Sequence, residues 1–476
     1  MSRIASGTQI DGFTVGERIH SGAMADIYAV TSTSAQTVTS FPLVMKVPRM
    51  AEGDGAENII SFEVEHQMLQ QLAGSHVPRF VAAGDLRRLP YLVMEHVPGQ
   101  TLQQRLDAQS PLPAPQVRTL GLALAHAAHS LHRQDVCHLD LKPANVILRP
   151  DGVAVLLDFG LSCHGHYPDL LAEEMRLAVG SPAWIAPEQI VGVRGDPRSD
   201  IFAIGVMLYE LATGELPFGS PQTRGGLRQR MWIPPKPPRA LRPDIPEWLQ
   251  EIILRCLAPD AASRYPSAAH LALDLAEPDQ VTITPAGQRT TGLGAWQLLR
   301  RWVRAAGAHY QPSPLASRQI DEAPILMVAV PWREASDATL YSLRQAVARS
   351  RGLRPGARLA CVTVIAPGQT SATSHDSSET TVHRRHLAVL REWALPLNLA
   401  GHSVSFHVLE SGDVADALLR YAQANHVTVI VMGAATHGLQ TQRLLATVPI
   451  KVAMGAQCTV ILVKAALPFG LLQAAD

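Results

Sequence analysis

The sequence predicts a multidomain chain in which a two-lobed α+β region is followed by an α/β domain with a doubly wound parallel sheet. At about 150 residues per domain, the 476 residues leave room for roughly three domains. Residues 13–276 are rich in strand patterns first and in helix patterns later, which indicates two lobes with a cleft between them. Residues 323–466 alternate strand and helix patterns, a rhythm typical of parallel sheets. We interpret residues 277–322 as a linker.

The composition is that of a globular protein. Hydrophobic residues make up 47% of the chain and charged residues 17%, which excludes a disordered or collagen-like protein. The 41 basic and 41 acidic residues balance, so we expect no nucleic-acid partner. The five cysteines are widely spaced without a CxxC pair, which disfavours a disulfide framework and indicates a reducing, cytoplasmic compartment. We find neither a signal peptide nor a long apolar run, so we expect no transmembrane segment.

The first region begins with strand patterns and ends with helix patterns. Runs of β-branched and aromatic residues predict five strands, at residues 13–19, 27–30, 43–47, 77–83 and 91–95. Apolar residues at helical spacing predict four helices, at residues 58–72, 114–133, 201–213 and 248–257. The first of these helices falls between the third and fourth strands, and the other three follow the last strand.

The last region and the linker complete the prediction. Parallel strands are expected at residues 325–330, 358–364, 403–408, 427–432 and 458–463. Helices are expected at residues 338–349, 382–399, 413–425 and 439–454. In the linker, residues 295–306 form a short basic amphipathic helix. With Trp296 and Trp302, this helix packs on a neighbouring domain or lies on a membrane surface, and disorder of the segment is the third alternative.

Three short motifs in the first region carry chemistry. Residues 138–145 read HLDLKPAN, residues 158–160 read DFG and residues 186–188 read APE. This set, in this order, resembles the catalytic core of protein kinases, and bacterial serine/threonine kinases of the Hanks type in particular. The resemblance implies the two-lobed kinase fold, ATP and Mg²⁺ as cofactors, and protein substrates that accept phosphate on Ser or Thr.

The resemblance also implies roles for residues of the catalytic loop. Asp140 would accept or orient the substrate hydroxyl proton, and Lys142 would reach the transferring γ-phosphate. Lys142 within this motif indicates Ser/Thr rather than Tyr substrates. Asn145 and Asp158 offer the oxygen ligands that Mg²⁺ prefers.

The nucleotide would be held by residues of the first lobe. Lys46 would contact the α- and β-phosphates, and the family spacing favours Glu65 as its partner. Leu69 and Leu72 share a helical face with Glu65, which fits an inward-facing carboxylate. Residues 19–28 align with the Gly-rich phosphate loop, and the hinge would bind adenine through main-chain groups. The binding residues expected from these two segments are Ile19, Gly22, Ala25, Ile27, Glu95 and Val97.

Two motifs depart from the family pattern. Only Gly22 of the three phosphate-loop glycines remains, and His20 and Ala25 replace the others, which predicts weaker ATP affinity or a stiffer lid. Leu139 stands where many kinases carry the Arg that receives a phosphorylated activation-segment residue. Between Asp158 and Glu188 the hydroxyl groups are those of Ser162, Tyr167 and Ser181. We therefore expect an activity that is not switched by activation-loop phosphorylation.

Other residues have architectural roles in the family. Glu188 and Arg264 would form a buried ion pair, and Asp200 would bond to the catalytic-loop backbone. Residues 180–184 would form the substrate-docking segment.

The last region resembles the universal stress protein fold. The matching segments are residues 325–330, 412–418, 429–433 and 458–463. Gly433 of the ATP-binding motif of that family is present, but Thr436 and Ala446 replace its later glycines and Pro331 stands where an Asp would be. We therefore do not expect ATP to bind here, and a packing, dimerising or ligand-sensing domain is the alternative. The resemblance implies a homodimer through the last strand.

Taken together, these residues predict a cytoplasmic serine/threonine protein kinase that a C-terminal stress-protein module regulates or dimerises. One alternative is a catalytically weak pseudokinase scaffold, which the altered phosphate loop and Leu139 favour. Another is a stress-responsive nucleotide or ligand sensor acting through residues 323–466.

Overall fold

A computed structural model divides the chain into two compact units, Met1–Arg318 and Gln319–Asp476. It describes residues 4–22, 24–33, 39–49, 56–85, 89–167, 169–171, 180–221, 223–306, 315–331, 337–351, 357–367, 378–397, 402–434 and 447–464.

The first lobe of the first unit is an antiparallel sheet with one helix. Its strands are β1 (Gln9–Ile10), β2 (Phe13–Ser21), β3 (Ala25–Ser32), β4 (Leu43–Pro48), β5 (Phe80–Ala83) and β6 (Leu92–Glu95), in the order β1-β2-β3-β4-β6-β5. Helix α1 (Ala56–Gln71) lies between β4 and β5 in sequence. Side chains alternate between the two faces of the strands, so Met45 packs with Tyr28 and Val93 on one face. Val44 joins Phe62 of α1 in the main core on the other face.

The second lobe is mainly helical. It contains α2 (Leu102–Ala108), α3 (Ala114–His132), α4 (Pro187–Ile190), α5 (Pro197–Thr213), α6 (Arg224–Gln229), α7 (Pro238–Leu241), α8 (Glu247–Cys256) and α9 (Ala268–Ala276). Its short strands are β7 (Gln100–Thr101), β8 (Val136–Cys137), β9 (Val146–Leu148), β10 (Ala154–Leu156) and β11 (Cys163–His164). Strand β8 pairs with β11, and β9 pairs with both β7 and β10. These short strands position the loops of the cleft, while α5 is buried along nearly its whole length.

The predicted two-lobed α+β architecture is confirmed, with small differences at element ends. The strand expected at 77–83 begins only at Phe80, since Pro78 has no N–H to give to a ladder. Helix α5 begins at Pro197, four residues before the expected start. The Asp196 side chain caps it by accepting from the Arg198 N–H, and this capping signal lies outside the apolar run used for the prediction.

Residues after α9 also pack on the second lobe. Helix α10 (Pro285–Gln288) lies against α8, where the buried Glu251 carboxylate accepts the N–H of Thr284 at 3.0 Å and the N–H of Gly287 at 2.8 Å. The buried Gln250 amide donates to the carbonyl of Ala286 at 2.8 Å. A Cβ at Gly287 would lie 2.7 Å from the Glu251 carboxylate, so the close approach needs glycine. The beginning of the predicted linker is therefore in contact with the second lobe.

Two further helices follow α10, and the second of them crosses the end of the first unit at Arg318. Helix α11 (Ala295–Ala306) coincides with the predicted basic amphipathic helix, and Trp296 and Trp302 are 76% and 51% exposed. Helix α12 (Ala316–Glu322) begins with Ala316, which is buried beside Cys137 and Leu139. The Ser317 N–H donates to Asp135 Oδ1 at 2.8 Å. No helix in the described part of the chain is both long enough and apolar enough to cross a bilayer.

The second unit is a five-stranded parallel sheet with helices. Its strands are β12 (Ile325–Ala329), β13 (Arg358–Ile365), β14 (Ser403–Glu410), β15 (Val429–Gly433) and β16 (Thr459–Val463). The connecting helices are α13 (Asp337–Arg351), α14 (Ser378–Ala394), α15 (Val414–Ala424) and α16 (Val448–Gly455). The order β14-β13-β12-β15-β16 starts in the middle and winds outward in both directions, which confirms the predicted doubly wound sheet. Every residue of β13 is buried, as expected for a strand covered on both faces.

Two helices of this unit differ from their predicted bounds. Helix α14 ends at Ala394 rather than at 399, because Pro396 disfavours helical backbone before it and cannot continue the helix. The helix predicted at 439–454 is present as α16 from Val448, and residues 435–446 lie outside the described residues.

The carboxyl group of Glu210 in α5 predicts a pH dependence of stability. Burial, and next the charge of Asp107, raises its pKa to about 7. Its Oε2 has no hydrogen-bond partner among the described residues. The folded protein therefore holds this proton more tightly than the unfolded chain, where the ordinary pKa is 4.5. By linkage, the group destabilises the fold above about pH 7, and this penalty disappears as the pH falls toward the ordinary value.

We expect Glu210→Gln to raise the Tm by roughly 2–4 °C at about pH 8 and by much less at about pH 5, a modest effect because the group is partly exposed. Calorimetry of the full chain at both pH values measures this. Glu215→Gln, at an exposed carboxylate two residues beyond α5, is the matched control and should not change the difference. An equal gain for Glu210→Gln at both pH values would show that the titration of Glu210 is not the cause.

Candidate active site

Lys46 joins three elements of the first unit in one ion-pair cluster. It lies on β4, and its Nζ is 2.5 Å from Glu65 Oε2 on α1 and 3.0 Å from Asp158 Oδ1, which follows β10. Glu65 is 3% exposed and faces inward with Leu69, as the helical spacing predicted. Burial by itself lowers the pKa of Lys46, but the charges of Asp158 and Glu65 outweigh it and raise that pKa. The lysine therefore keeps its positive charge at the cleft.

Asp158 is held in an unusual backbone conformation. Its φ is +64°, in the left-handed region, and the side chain is directed toward Lys46 with 39% exposure. Phe159 is buried after it, and Gly160 lies so close to Ser61 of α1 that a Cβ would collide with the Ser61 side chain. The charge of Lys46 lowers the pKa of Asp158, against the opposing effect of burial. The carboxylate is therefore ionised at neutral pH.

Asp140 is the centre of a second cluster on the catalytic loop. Its Oδ2 accepts from Lys142 Nζ at 2.8 Å, and its Oδ1 accepts the N–H of Ser181 at 2.8 Å. Lys142 Nζ also donates to Ser181 Oγ at 2.8 Å. Asn145 Nδ2 donates to the Asp140 carbonyl at 3.0 Å. The Lys142 ammonium group is thus within hydrogen-bonding distance of both the Asp140 carboxylate and the hydroxyl of Ser181 from the activation segment.

The catalytic loop is held from behind by Asp200 of α5. This buried carboxylate accepts the N–H of His138 at 2.9 Å and the N–H of Leu139 at 2.8 Å, as predicted. His132 Nε2 lies 2.9 Å from the same carboxylate. Burial raises the pKa of Asp200, but the His132 contact and the other hydrogen bonds outweigh it, so the pKa is lowered. These hydrogen bonds hold the loop in place, so Leu139 keeps a strained backbone conformation with a φ of +63°.

Two oxygen donors next to these clusters fit a hard divalent cation. The Asn145 amide nitrogen donates to Asp140, so the amide oxygen is the atom of this side chain that can bind a metal ion. Asp158 contributes an ionised carboxylate. Oxygen ligands from one or two carboxylates, completed by substrate phosphates, are the usual set for Mg²⁺. The residues present at this position therefore fit Mg²⁺.

The phosphate loop is the hairpin between β2 and β3. The Gly22 N–H donates to the Ala25 carbonyl at 2.9 Å, and Ile19 is 47% exposed near the tip. A polar clasp that was not foreseen closes the hairpin, because Asp26 accepts from Ser21 Oγ at 2.8 Å and from Arg49 at 2.9 Å. This clasp stiffens the hairpin, in which His20 and Ala25 stand where the family pattern has glycines. Ile27 lies beside Lys46 in the β3–β4 ladder.

The hinge residues Glu95 and Val97 are both buried at the end of β6. The Glu95 carboxylate turns away toward Arg149, at 2.8 Å, and Arg79, at 3.7 Å. The side chain therefore binds the two arginines, and the Glu95 N–H donates to the Arg79 carbonyl at 2.9 Å. The hinge position of Glu95 was predicted from the sequence, but the contacts of its carboxylate with Arg149 and Arg79 were not.

Arg230, just after α6, is a positioning residue that sequence reasoning missed. It is 1% exposed, and its guanidinium donates to the carbonyls of Ile185 at 2.5 Å and Pro182 at 2.7 Å. Burial lowers its pKa to about 10, so it remains charged. It therefore holds residues 182–185, which overlap the predicted docking segment of residues 180–184, in one shape. No local motif marks it, because its partners lie more than forty positions away.

The remaining predicted contacts fall near this segment. Arg264 donates to both oxygens of Glu188, at 2.6 and 2.8 Å, and both side chains are buried, which confirms the predicted ion pair. Ser162 is 1% exposed and donates to the His138 carbonyl at 3.2 Å, so its hydroxyl is shielded. Tyr167 is exposed, and Ser181 is engaged by Lys142. The expectation of an activity independent of activation-loop phosphorylation stays a prediction.

In the second unit, Gly433 ends β15 and Thr447 immediately precedes α16. Thr436 and Ala446 lie outside the described residues. Pro331 lies two residues beyond β12 and is exposed.

Two protein families match the chain. Residues 13–274 match the protein kinase domain, and residues 325–464 match the universal stress protein family. A probable serine/threonine-protein kinase of Corynebacterium efficiens is 26% identical over 470 residues, which covers 92% of this chain and 67% of that protein. The serine/threonine-protein kinase PknB of Mycolicibacterium smegmatis is 26% identical, over 60% of this chain and 47% of that protein. Pkn1 of Myxococcus xanthus is 35% identical, over 43% and 30%. The matches thus span less than half of the latter two relatives.

Proposed function

The chain belongs to the protein kinase family, and we propose that it is a serine/threonine protein kinase that transfers the γ-phosphate of ATP to protein hydroxyl groups. The observation that carries this proposal is the Lys46 cluster, in which one lysine contacts both Glu65 and Asp158 across the cleft. Phosphoryl transfer depends mainly on positioning and on neutralising phosphate charge, and this cluster supplies both. Relatives that carry the same function in their names support it.

In this proposal the nucleotide binds beneath the β2–β3 hairpin. Lys46 neutralises charge on the α- and β-phosphates, and Glu65 keeps its ammonium group in place. The main chain at Glu95 and Val97 binds adenine, and Ile19, Gly22, Ala25 and Ile27 lie along the hairpin above the nucleotide. The clasp of Ser21, Asp26 and Arg49 adds to the stiffness that the absence of two glycines already gives this hairpin.

Asp140 and Lys142 act at the transferring group. The Asp140 carboxylate orients the incoming Ser or Thr hydroxyl and accepts its proton, while Lys142 lies beside it to meet the γ-phosphate. Asn145 and Asp158 would hold Mg²⁺, which neutralises phosphate charge when bound. Ser181 is fixed by both Asp140 and Lys142, so it connects the docking segment to the reacting groups.

The stress-protein domain, predicted at residues 323–466 within the second unit, regulates or dimerises the kinase domain of residues 13–276. The support is its match to the universal stress protein family and the position of β16 at one edge of the sheet. An edge strand can pair with a second copy of itself. The cytoplasm is the compartment that the cysteine spacing favours.

Purified full-length protein should transfer labelled γ-phosphate to itself or to a generic protein acceptor when Mg²⁺ is present. Lys46→Ala should lower this rate on the order of 10²- to 10³-fold, because it removes a charge that meets the phosphates. Lys236→Ala, at an exposed lysine of the same unit, is the matched control and should keep the wild-type rate. Wild-type protein that binds ATP without transferring phosphate would instead favour the pseudokinase scaffold. A Lys46→Ala rate equal to the wild-type rate would remove Lys46 from the proposed site.

A further inference from the structure

Two free thiols face each other beside the catalytic loop. Cys137 ends β8, immediately before His138, and Cys163 opens β11 in the activation segment. The two residues are direct partners in the antiparallel β8–β11 pair. The segment that leads to Asp140 and the segment that follows Asp158 are therefore joined at this point.

The register sets the distance between the two backbones. The Gly165 N–H donates to the Asp135 carbonyl at 2.8 Å, two residues along the same ladder. Hydrogen-bonded pairs alternate with non-hydrogen-bonded ones, so Cys163 and Cys137 also form a hydrogen-bonded pair, with Cα atoms about 5.5 Å apart. Disulfides join Cα atoms that are about 4.4–6.8 Å apart, most often about 5.5–6 Å. The separation expected for the Cα atoms therefore lies within the range that a disulfide can join.

The two sulfur atoms converge on the same neighbour. Cys137 Sγ lies 3.4 Å from the carbonyl oxygen of Gly195, and Cys163 Sγ lies 3.6 Å from the position that a Cβ of Gly195 would take. Cys163 packs against the cluster that holds Cys137, and its proximity, followed by burial, raises the pKa of Cys137. The side chains are therefore directed toward one another as well as being opposite in register.

The surroundings differ for the two thiols. Cys137 is 2% exposed and packs with Leu139 and Ala316, whereas Cys163 is only partly buried. A small oxidant can therefore reach Cys163 first, and Cys137 is shielded behind it. An accessible thiol next to a second cysteine that can form a disulfide with it is a common arrangement in redox-sensitive sites.

We propose that Cys137 and Cys163 are a redox modification site that hydrogen peroxide converts to a disulfide, linking the catalytic loop to the activation segment. The peroxide oxidises Cys163 to a sulfenic acid and is reduced to one water. The Cys137 sulfur then attacks the Cys163 sulfur, the S–O bond breaks, and the hydroxyl leaves with the Cys137 proton as a second water. Two thiols lose two electrons and two protons in total, and one peroxide gives two waters.

This bond would fix the activation segment without a phosphate. Leu139 offers no charge to hold a phosphorylated side chain, and Ser162 is buried. A covalent link between β8 and β11 holds the same segment next to Asp140 in the arrangement already present. The proposal does not depend on the proposed function, because the bond is detected directly.

The test uses the reduced full-length chain, treated with hydrogen peroxide and then with an alkylating reagent. Trypsin does not cleave before Pro143 or Pro150, so both cysteines fall in one peptide, residues 134–176. We expect this peptide to lose two hydrogen atoms and to escape alkylation, with recovery of both thiols after dithiothreitol. The oxidised chain should also melt on the order of 5 °C higher than the reduced chain.

Cys163→Ala should abolish both effects, and Cys458→Ala, at a partly buried cysteine of the second unit, should leave both unchanged. Full alkylation of both cysteines in peroxide-treated wild type would overturn the proposal. So would oxidation of Cys163 to sulfinic acid, or a bond between two chains. If Cys163→Ala does not fold, the mass of the wild-type peptide decides the question alone.

Discussion

Replacing Asp140 with Asn should lower phosphate transfer about 10³-fold while ATP binding stays close to that of the wild type. The amide keeps the shape of the carboxylate but cannot accept the hydroxyl proton. It also loses the charge that draws in Lys142 at 2.8 Å, while its remaining amide oxygen can still accept the Ser181 N–H. Lys46, Glu65 and the hinge are untouched, so the nucleotide should still bind. Single-turnover transfer of labelled phosphate and nucleotide titration by calorimetry measure the two quantities separately.

Asp279→Asn, at an exposed position of the same unit, is the matched control and should keep full activity. A large loss of ATP affinity in Asp140→Asn would indicate that this residue holds the nucleotide or the fold rather than the reacting hydroxyl. Transfer at the wild-type rate would remove Asp140 from the chemistry.

Arg264→Met should destabilise the first unit by about 3–5 kcal/mol, because it leaves the buried Glu188 carboxylate without its partner. The pair is bidentate, and Ser199 Oγ supplies a further hydrogen bond to Glu188 at 2.6 Å. Burial raises the pKa of Glu188, but the charge of Arg264 outweighs it and holds the pKa below its ordinary value. By linkage, this contribution is present above the unfolded pKa and is lost as the pH falls through the folded one.

Urea unfolding of the full chain measures this destabilisation, and the double variant Glu188→Gln with Arg264→Met should recover part of it, since no unpaired charge then remains. Arg420→Met is the control, because its partner Asp416 is exposed and such pairs contribute about 0–1 kcal/mol. A cost of Arg264→Met no larger than that of Arg420→Met would show that the buried pair does not stabilise the unit.

The active-site clusters were foreseeable where a motif or a periodicity marks the residues. The family spacing favoured Glu65, the helical face that it shares with Leu69 fitted that choice, and Glu65 contacts Lys46 at 2.5 Å. Asp200 and the Glu188–Arg264 pair were expected from the resemblance to protein kinases, and both make the contacts predicted. The parallel order of the last region followed from its strand–helix rhythm.

Contacts between residues far apart in sequence and without a motif were not foreseeable. Arg230 binds carbonyl oxygens, which every residue carries, so the sequence does not identify its partners. Strands β8 and β11 have two residues each, too few to show an alternation, so the facing of Cys137 and Cys163 left no pattern. The Asp26–Arg49 clasp joins two strands through side chains whose types are common on any surface.

The contacts of Glu251 bear on how this protein could have been assembled from smaller genes. Its buried carboxylate needs the N–H groups of Thr284 and Gly287, which lie beyond residues 13–274 that match the kinase family. A recombination joint placed directly after α9 would remove these partners, and hydrogen bonds to a charged group contribute about 1.5–3 kcal/mol each. Exchange of the C-terminal module is therefore tolerated best when the joint falls after Arg289, so that residues 277–289 are inherited with the catalytic unit.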